Sequence, residues 1–143
     1  MSRTSTGSVW HSNSSSGTIR PTTSAMTRCE VGDIVSVEFP FSDLQGRKRR
    51  PGLVLAVDAQ DVLLARVTTH LPREANDVAL RDWANSGLPK ASTVRLVKLA
   101  FVDARLIHHR IGRLSAHDAE AVADAFQQLA AGISAALQRQ PQS

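Results

Sequence analysis

The patterned part of the chain opens on an alternation. Val35, Val37 and Phe39 fall on one side of an extended segment and Ile34, Ser36 and Glu38 on the other, which predicts a strand. Pro40 and the polar run 42–50 predict a loop after it. Residues 52–57 (Gly-Leu-Val-Leu-Ala-Val) form a short continuous apolar run, the pattern of a buried strand. A turn at 58–60 leads to a third strand at 61–70, built on Leu63, Leu64 and Val67. A short strand at 78–80 precedes a loop at 85–90, and residues 93–99 with their neighbours add another strand.

The period then changes. Val122, Phe126, Leu129, Ile133 and Leu137 recur every three or four residues, one face of a helix. Ser115 followed three residues later by Asp118 resembles a capping box, and Asp118 and Glu120 suit the positive end of the helix dipole. Pro141 lies just beyond the pattern. Closely spaced short strands followed by one helix predict a mainly β fold with a C-terminal helix, a small barrel or half-open sheet. No internal repeat is present.

Composition narrows the class. At 143 residues, and roughly 100–200 residues per domain, the chain holds one domain long enough for a real core. No stretch reaches the roughly 20 apolar residues of a spanning helix. Cys29, the single cysteine, can form neither an internal disulfide nor a zinc site, which points to a reducing compartment, the cytoplasm. Residues 1–27 hold 14 Ser or Thr, with Arg3 and Arg20 and no acid. That composition buries too little to offset chain entropy and predicts a disordered tail. A start codon set too early (Met26 precedes the pattern), an expression tag or a leader such as a transit peptide would each account for it. The folded domain is then residues 28–143.

The net charge of +4 divides unevenly. The tail carries +2 of it, and the body holds 15 bases against 13 acids. Within the body, Arg47, Lys48, Arg49 and Arg50 stand together against Asp43 alone. The chain is thus a near-neutral body with one cationic lip, placed to meet an anionic partner.

Several chemistries are missing. The chain has no Gly-rich phosphate loop, nucleophile elbow or His-Glu-x-x-His. His108 and His109 are adjacent, so on a strand they would face opposite ways, and no acidic cluster offers oxygen ligands to a cation. An enzyme here is expected to work without metal or other cofactor. Cleavage of RNA by its own 2′-hydroxyl meets that condition: it needs a cation for the phosphate, a proton acceptor for the hydroxyl and a donor for the leaving oxygen.

The ordered motifs are more specific. Gly32-Asp33-Ile34-Val35 leads into Phe39-Pro40-Phe41-Ser42-Asp43-Leu44, then Arg50-Pro51-Gly52-Leu53-Val54-Leu55. Asp61-Val62-Leu63-Leu64-Ala65 with Thr68-Thr69, Asp82-Trp83, Gly87-Leu88-Pro89-Lys90 and Ile111-Gly112-Arg113-Leu114-Ser115 follow. In order and spacing, over about residues 28–130, the chain resembles the MazF/PemK family of bacterial toxins. The resemblance implies an SH3-like barrel closed by a C-terminal helix, usually a homodimer. It implies a metal-independent endoribonuclease that cuts single-stranded mRNA at short sequences, leaves 2′,3′-cyclic phosphate and 5′-hydroxyl ends and stops translation. It also implies a cognate antitoxin that occupies the RNA groove until degraded.

By the same resemblance, Arg50 and Thr68 are catalytic. Arg50 offers a planar donor fork to phosphate oxygens, and Thr68 can hold a phosphate oxygen or orient the 2′-hydroxyl; the bland alternatives are a solvated charge and plain strand propensity. Some members place a Glu where this chain has Gln45, and others an acid where it has Val97, so acid–base roles from those members do not transfer. His70 stands where relatives often carry Gln, on the same strand face as Thr68, and is the candidate to assist proton transfer; an exposed strand-end His is the alternative. Arg47, Lys48 and Arg49 are assigned to steering RNA, with Gln45, Thr69 and Arg95 as further RNA contacts. Arg95 has the alternative of pairing with an acid on the barrel. Trp83 and Phe41 are each divided between packing and base contact. Two other functions stay open: a non-cleaving poison on the same barrel, as in CcdB-like gyrase inhibitors, and a general RNA-binding barrel.

Overall fold

The computed structural model describes residues 28–38 and 48–140. The expected tail 1–27, Phe39, Phe41, Gln45, Arg47 and residues 141–143 lie outside them. In chain order the elements are β1 (Asp33–Glu38), β2 (Arg49–Asp58), β3 (Asp61–Thr68), β4 (Asp77–Ala79), β5 (Thr93–Asp103), a 3-10 turn (Ala104–Leu106), β6 (Ile107–Arg113) and α1 (Ala116–Gln138). The strands form one antiparallel sheet in the order β4–β5–β3–β2–β1–β6. The mainly β architecture with a C-terminal helix is as expected. The sheet is barrel-like but open, since β4 and β6 end it without pairing to each other.

Both faces of the sheet are apolar. One cluster, with Ile34, Leu53, Val67, Val94 and Leu96, packs under α1 through Val122. The other joins Val35, Val37, Val54, Leu64, Val102 and Ile107, with no residue of α1 in it. This alters the reading of β1, where alternation suggested one polar face. Its first five residues are all buried, because Ile34 enters one core and Val35 and Val37 the other.

Strand limits also moved. β2 begins at Arg49 and pairs Arg49 with Glu38 and Arg50 with Val37, so the expected loop 42–50 ends earlier than its polarity suggested. Cross-strand pairing overrides weak local propensity here. β3 stops at Thr68, two residues before the expected limit, and residues 69–70 bend away. Strand β6 was not picked out from its composition, and β5 runs four residues past 99 to Asp103. Leu96, Val97 and Lys98 bulge from β5 between Arg95, opposite Arg66, and Leu99, opposite Ala65.

Helix α1 starts as predicted, with Ser115 Oγ accepting the Asp118 N–H at 3.1 Å. The Asp118 carboxylate does not complete a capping box. It is buried (1% exposed) and accepts the backbone N–H groups of Arg81 and Asp82, both at 2.9 Å. Ser115 in turn donates to Asp82 at 2.6 Å. Beyond Val122 the stripe is uneven: Leu129 still packs in part against the core, whereas Phe126, Ile133 and Leu137 are exposed. The loop that Asp118 holds crosses β6 at backbone contact. A side chain on Gly112 would run into the Ser86 carbonyl, and one on Gly87, at φ +88°, into that of Ile111. The motifs around Gly87 and Gly112 are therefore two halves of one crossing.

Candidate active site

The register of β2 and β3 relates Arg50 to Thr68, though neither is in the paired ladder. The ladder between these strands begins at Gly52 opposite Arg66, one residue after Pro51, which has no N–H to extend it. Continued two residues further, that register sets Arg50 across from Thr68. Thr68 in turn lies opposite Thr93 on β5. Arg50 is half-buried and pairs with Val37, whose side chain belongs to the second core.

His70 reaches Thr68 by a turn, not by strand alternation. Its backbone N–H lies 3.2 Å from Thr68 Oγ1, and its imidazole Nδ1 lies 3.0 Å from the same oxygen. Thr69 and His70 are both exposed. Lys48 and Arg49 are exposed at the start of β2, next to Arg50. Arg47 and Gln45 fall outside the described residues.

Arg95 occupies the next row of the sheet, which runs Gly52, Arg66, Arg95, Asp77 across β2, β3, β5 and β4. Two arginines facing each other repel unless balanced. Asp77 supplies that balance: Arg95 Nε lies 3.3 Å from its Oδ1, and Arg95 Nη2 lies 3.6 Å from Glu74. The other Asp77 oxygen accepts the N–H groups of Arg73 and Glu74 at 2.9 and 3.1 Å. Burial raises the Asp77 pKa, but these two backbone donors and Arg95 outweigh it and hold the carboxyl below its ordinary value. Arg95, a candidate for RNA contact, is thus engaged with acids of the barrel.

Val97 is 43% exposed on the β5 bulge, an open apolar side chain. Trp83 packs against the core under α1, the anchoring use of its two alternatives. His108 Nε2 stands 3.5 Å from Glu38, and His109 is exposed. Among the described residues no three His, Cys, Asp or Glu side chains gather to hold a metal ion, and no helix is long and apolar enough to cross a membrane. An apolar groove of about 500 Å³ between α1 and strands β2 and β3, bordered by Leu55, Leu63 and Phe126, has no titratable group in its lining and lies apart from Arg50 and Thr68.

A family model described as the PemK-like, MazF-like toxin of type II toxin–antitoxin systems matches residues 30–130. The chain belongs to this family. Among curated proteins none matches it in sequence. Among solved structures, the Mycobacterium tuberculosis toxin MazF-mt6 is 25% identical, with a TM-score of 0.52 over 66% of this chain and 96% of that one. The MazE–MazF structure from Deinococcus radiodurans is 19% identical, with a TM-score of 0.57 over 74% and 96%. An endoribonuclease in complex with its cognate antitoxin, from a mycobacterial species, is 14% identical, with a TM-score of 0.55 over 78% and 96%. The last two likenesses concern the fold alone.

In this MazF-like chain, sequence reasoning passed over Arg66 and Asp77. Arg66 was within reach, since it sits two residues before Thr68 on β3 and alternation puts both on one face. Asp77 carried no such signal, because its partner Arg95 is 18 residues away and met only through the β4–β5 pairing.

Proposed function

We propose that the chain is a metal-independent endoribonuclease toxin that cuts single-stranded mRNA at short sequences in the cytoplasm. The reading is supported by the β2–β3 register, which continued two residues past Gly52 would set Arg50 across from Thr68, in a chain of this toxin family. Arg50 holds the scissile phosphate and its developing charge through paired N–H donors. Thr68 orients the 2′-hydroxyl. The 2′-oxygen bonds to phosphorus, the bond to the 5′-oxygen breaks, and the products are a 2′,3′-cyclic phosphate and a 5′-hydroxyl. Lys48 and Arg49, with Arg47, draw in the RNA backbone, and Gln45 and Thr69 are further RNA contacts. Arg95, tied to Asp77, steadies the strands beneath the site. The protein acts as a homodimer, and a cognate antitoxin blocks the cationic lip.

Incubation of the purified protein with a long single-stranded RNA tests this. Discrete fragments that persist in EDTA, and that fall by about 10²–10³-fold in rate with Arg50→Ala, are expected. The exposed Val97 in place of an acid favours one rival, a toxin that binds without cutting. Intact RNA beside growth arrest on expression would select that rival.

A further inference from the structure

We infer that His70 serves the reaction through Thr68, as the final acceptor of the 2′-hydroxyl proton, an assignment that rests on the nuclease reading above. The inference starts from one oxygen. Thr68 Oγ1 has one proton and two lone pairs. The His70 backbone N–H, 3.2 Å away, takes one lone pair, and the imidazole Nδ1 stands 3.0 Å from the same oxygen. With the ring neutral and protonated at Nε2, the Thr68 hydroxyl donates to Nδ1 and its second lone pair stays open to a ligand.

The proton count closes. As the 2′-oxygen bonds to phosphorus, its proton passes to Thr68 Oγ1, and the Thr68 proton passes to His70 Nδ1. The 5′-oxygen leaves with a proton from water, and the imidazolium returns its extra proton to solvent. No other titratable acceptor is held to Thr68 by a hydrogen bond among the described residues. The carboxylates nearest along the sheet and the following loop, Asp77 and Glu74, are both committed to Arg95. The charged residues on the neighbouring segments are cations: Arg49 and Arg50 on β2, Arg66 on β3 and Arg73 in the loop after His70. The bend is open to a large substrate, with His70 exposed and Leu71 81% exposed.

The experiment is a set of pH–rate profiles with a single-stranded RNA for wild type, His70→Gln, Thr68→Ser, Thr68→Val and the His70→Gln/Thr68→Val double variant. Gln keeps a hydrogen bond to Thr68 but cannot take the proton. Expected results are a rate that falls toward acid pH in wild type and Thr68→Ser, and a loss of about 10²-fold with a flattened acid limb in His70→Gln. The double variant should lose little beyond Thr68→Val alone. Superimposable profiles for wild type and His70→Gln, or losses that multiply in the double variant, would overturn the inference while leaving the nuclease reading intact. A wild type that leaves RNA whole at every pH would remove the nuclease reading and this role with it. Nitrogen NMR of the imidazole gives a readout apart from turnover: Nδ1 should be the bare nitrogen in the neutral ring, and Thr68→Val should relax that preference. A ring protonated at Nδ1 would also refute the relay.

Discussion

Removing the Asp118 carboxylate should loosen the loop that crosses β6 without touching the candidate active site. The side chain is 1% exposed and accepts two backbone N–H groups, from Arg81 and Asp82, each at 2.9 Å. Hydrogen bonds to a charged acceptor contribute about 1.5–3 kcal/mol each. Both donors are only partly buried, so water recovers part of that in the variant, leaving about 1–1.5 kcal/mol per bond. Loss of a negative charge in the first turn of α1 adds about 0.5 kcal/mol. Asp118→Ala should therefore cost about 3 kcal/mol. For a domain near this size, with a slope of about 4 °C per kcal/mol, the melting temperature should fall by about 12 °C. Asp118→Asn keeps one acceptor but turns an amide donor toward the second N–H, so it should fall in between. Thermal unfolding followed by circular dichroism at fixed protein concentration gives the measurement. An alanine variant within about 3 °C of wild type, or an asparagine variant less stable than alanine, would refute the reasoning.

The crossing itself should be just as sensitive: Gly112→Ala places a methyl against the Ser86 carbonyl, and a drop in urea midpoint at least as large as that of Asp118→Asn is expected. Neutralising Lys48 and Arg49 to Gln should weaken RNA binding across sequences and lower the slope of log affinity against log salt by about 0.7 per lost phosphate contact, read by fluorescence anisotropy. The depressed Asp77 pKa carries a pH signature. A carboxyl whose folded value lies below its unfolded one stabilises the fold above the ordinary carboxylate range, and that share is lost as pH falls toward the folded value. Acid unfolding of Asp77→Asn should therefore be less pH-dependent below about pH 4, while the variant is less stable than wild type at neutral pH. Equal pH dependence in the two proteins would count against the Arg95–Asp77 account.

Much of the site was readable before folding, and the way it was readable has a physical basis. Arg50 beside Pro51, and Thr68 beside Thr69, are local signatures, and local chemistry persists wherever the segment sits. The contact between His70 and Thr68 spans two residues, so it too was within range of sequence reasoning, though a bend rather than an extended strand makes it. Arg95 was harder. Its residue type suits phosphate, and only the pairing of β4 with β5 shows its charge already opposed by Asp77.

The same division holds for the whole molecule. The run 52–57, the helical period after Ser115 and the Ser115 cap itself were set by sequence alone, because backbone hydrogen bonding and side-chain periodicity act over a few neighbours. Tertiary structure alone decided that β1 buries both faces, that Asp118 holds a loop 36 and 37 residues away, and that Ser86 lies on Gly112. It also decided the β2–β3 register, which continued past Gly52 would set Arg50 across from Thr68. Each of these depends on strand register and on which backbones cross. A register is fixed by the burial of all the strands together, and no single stretch of residues contains it.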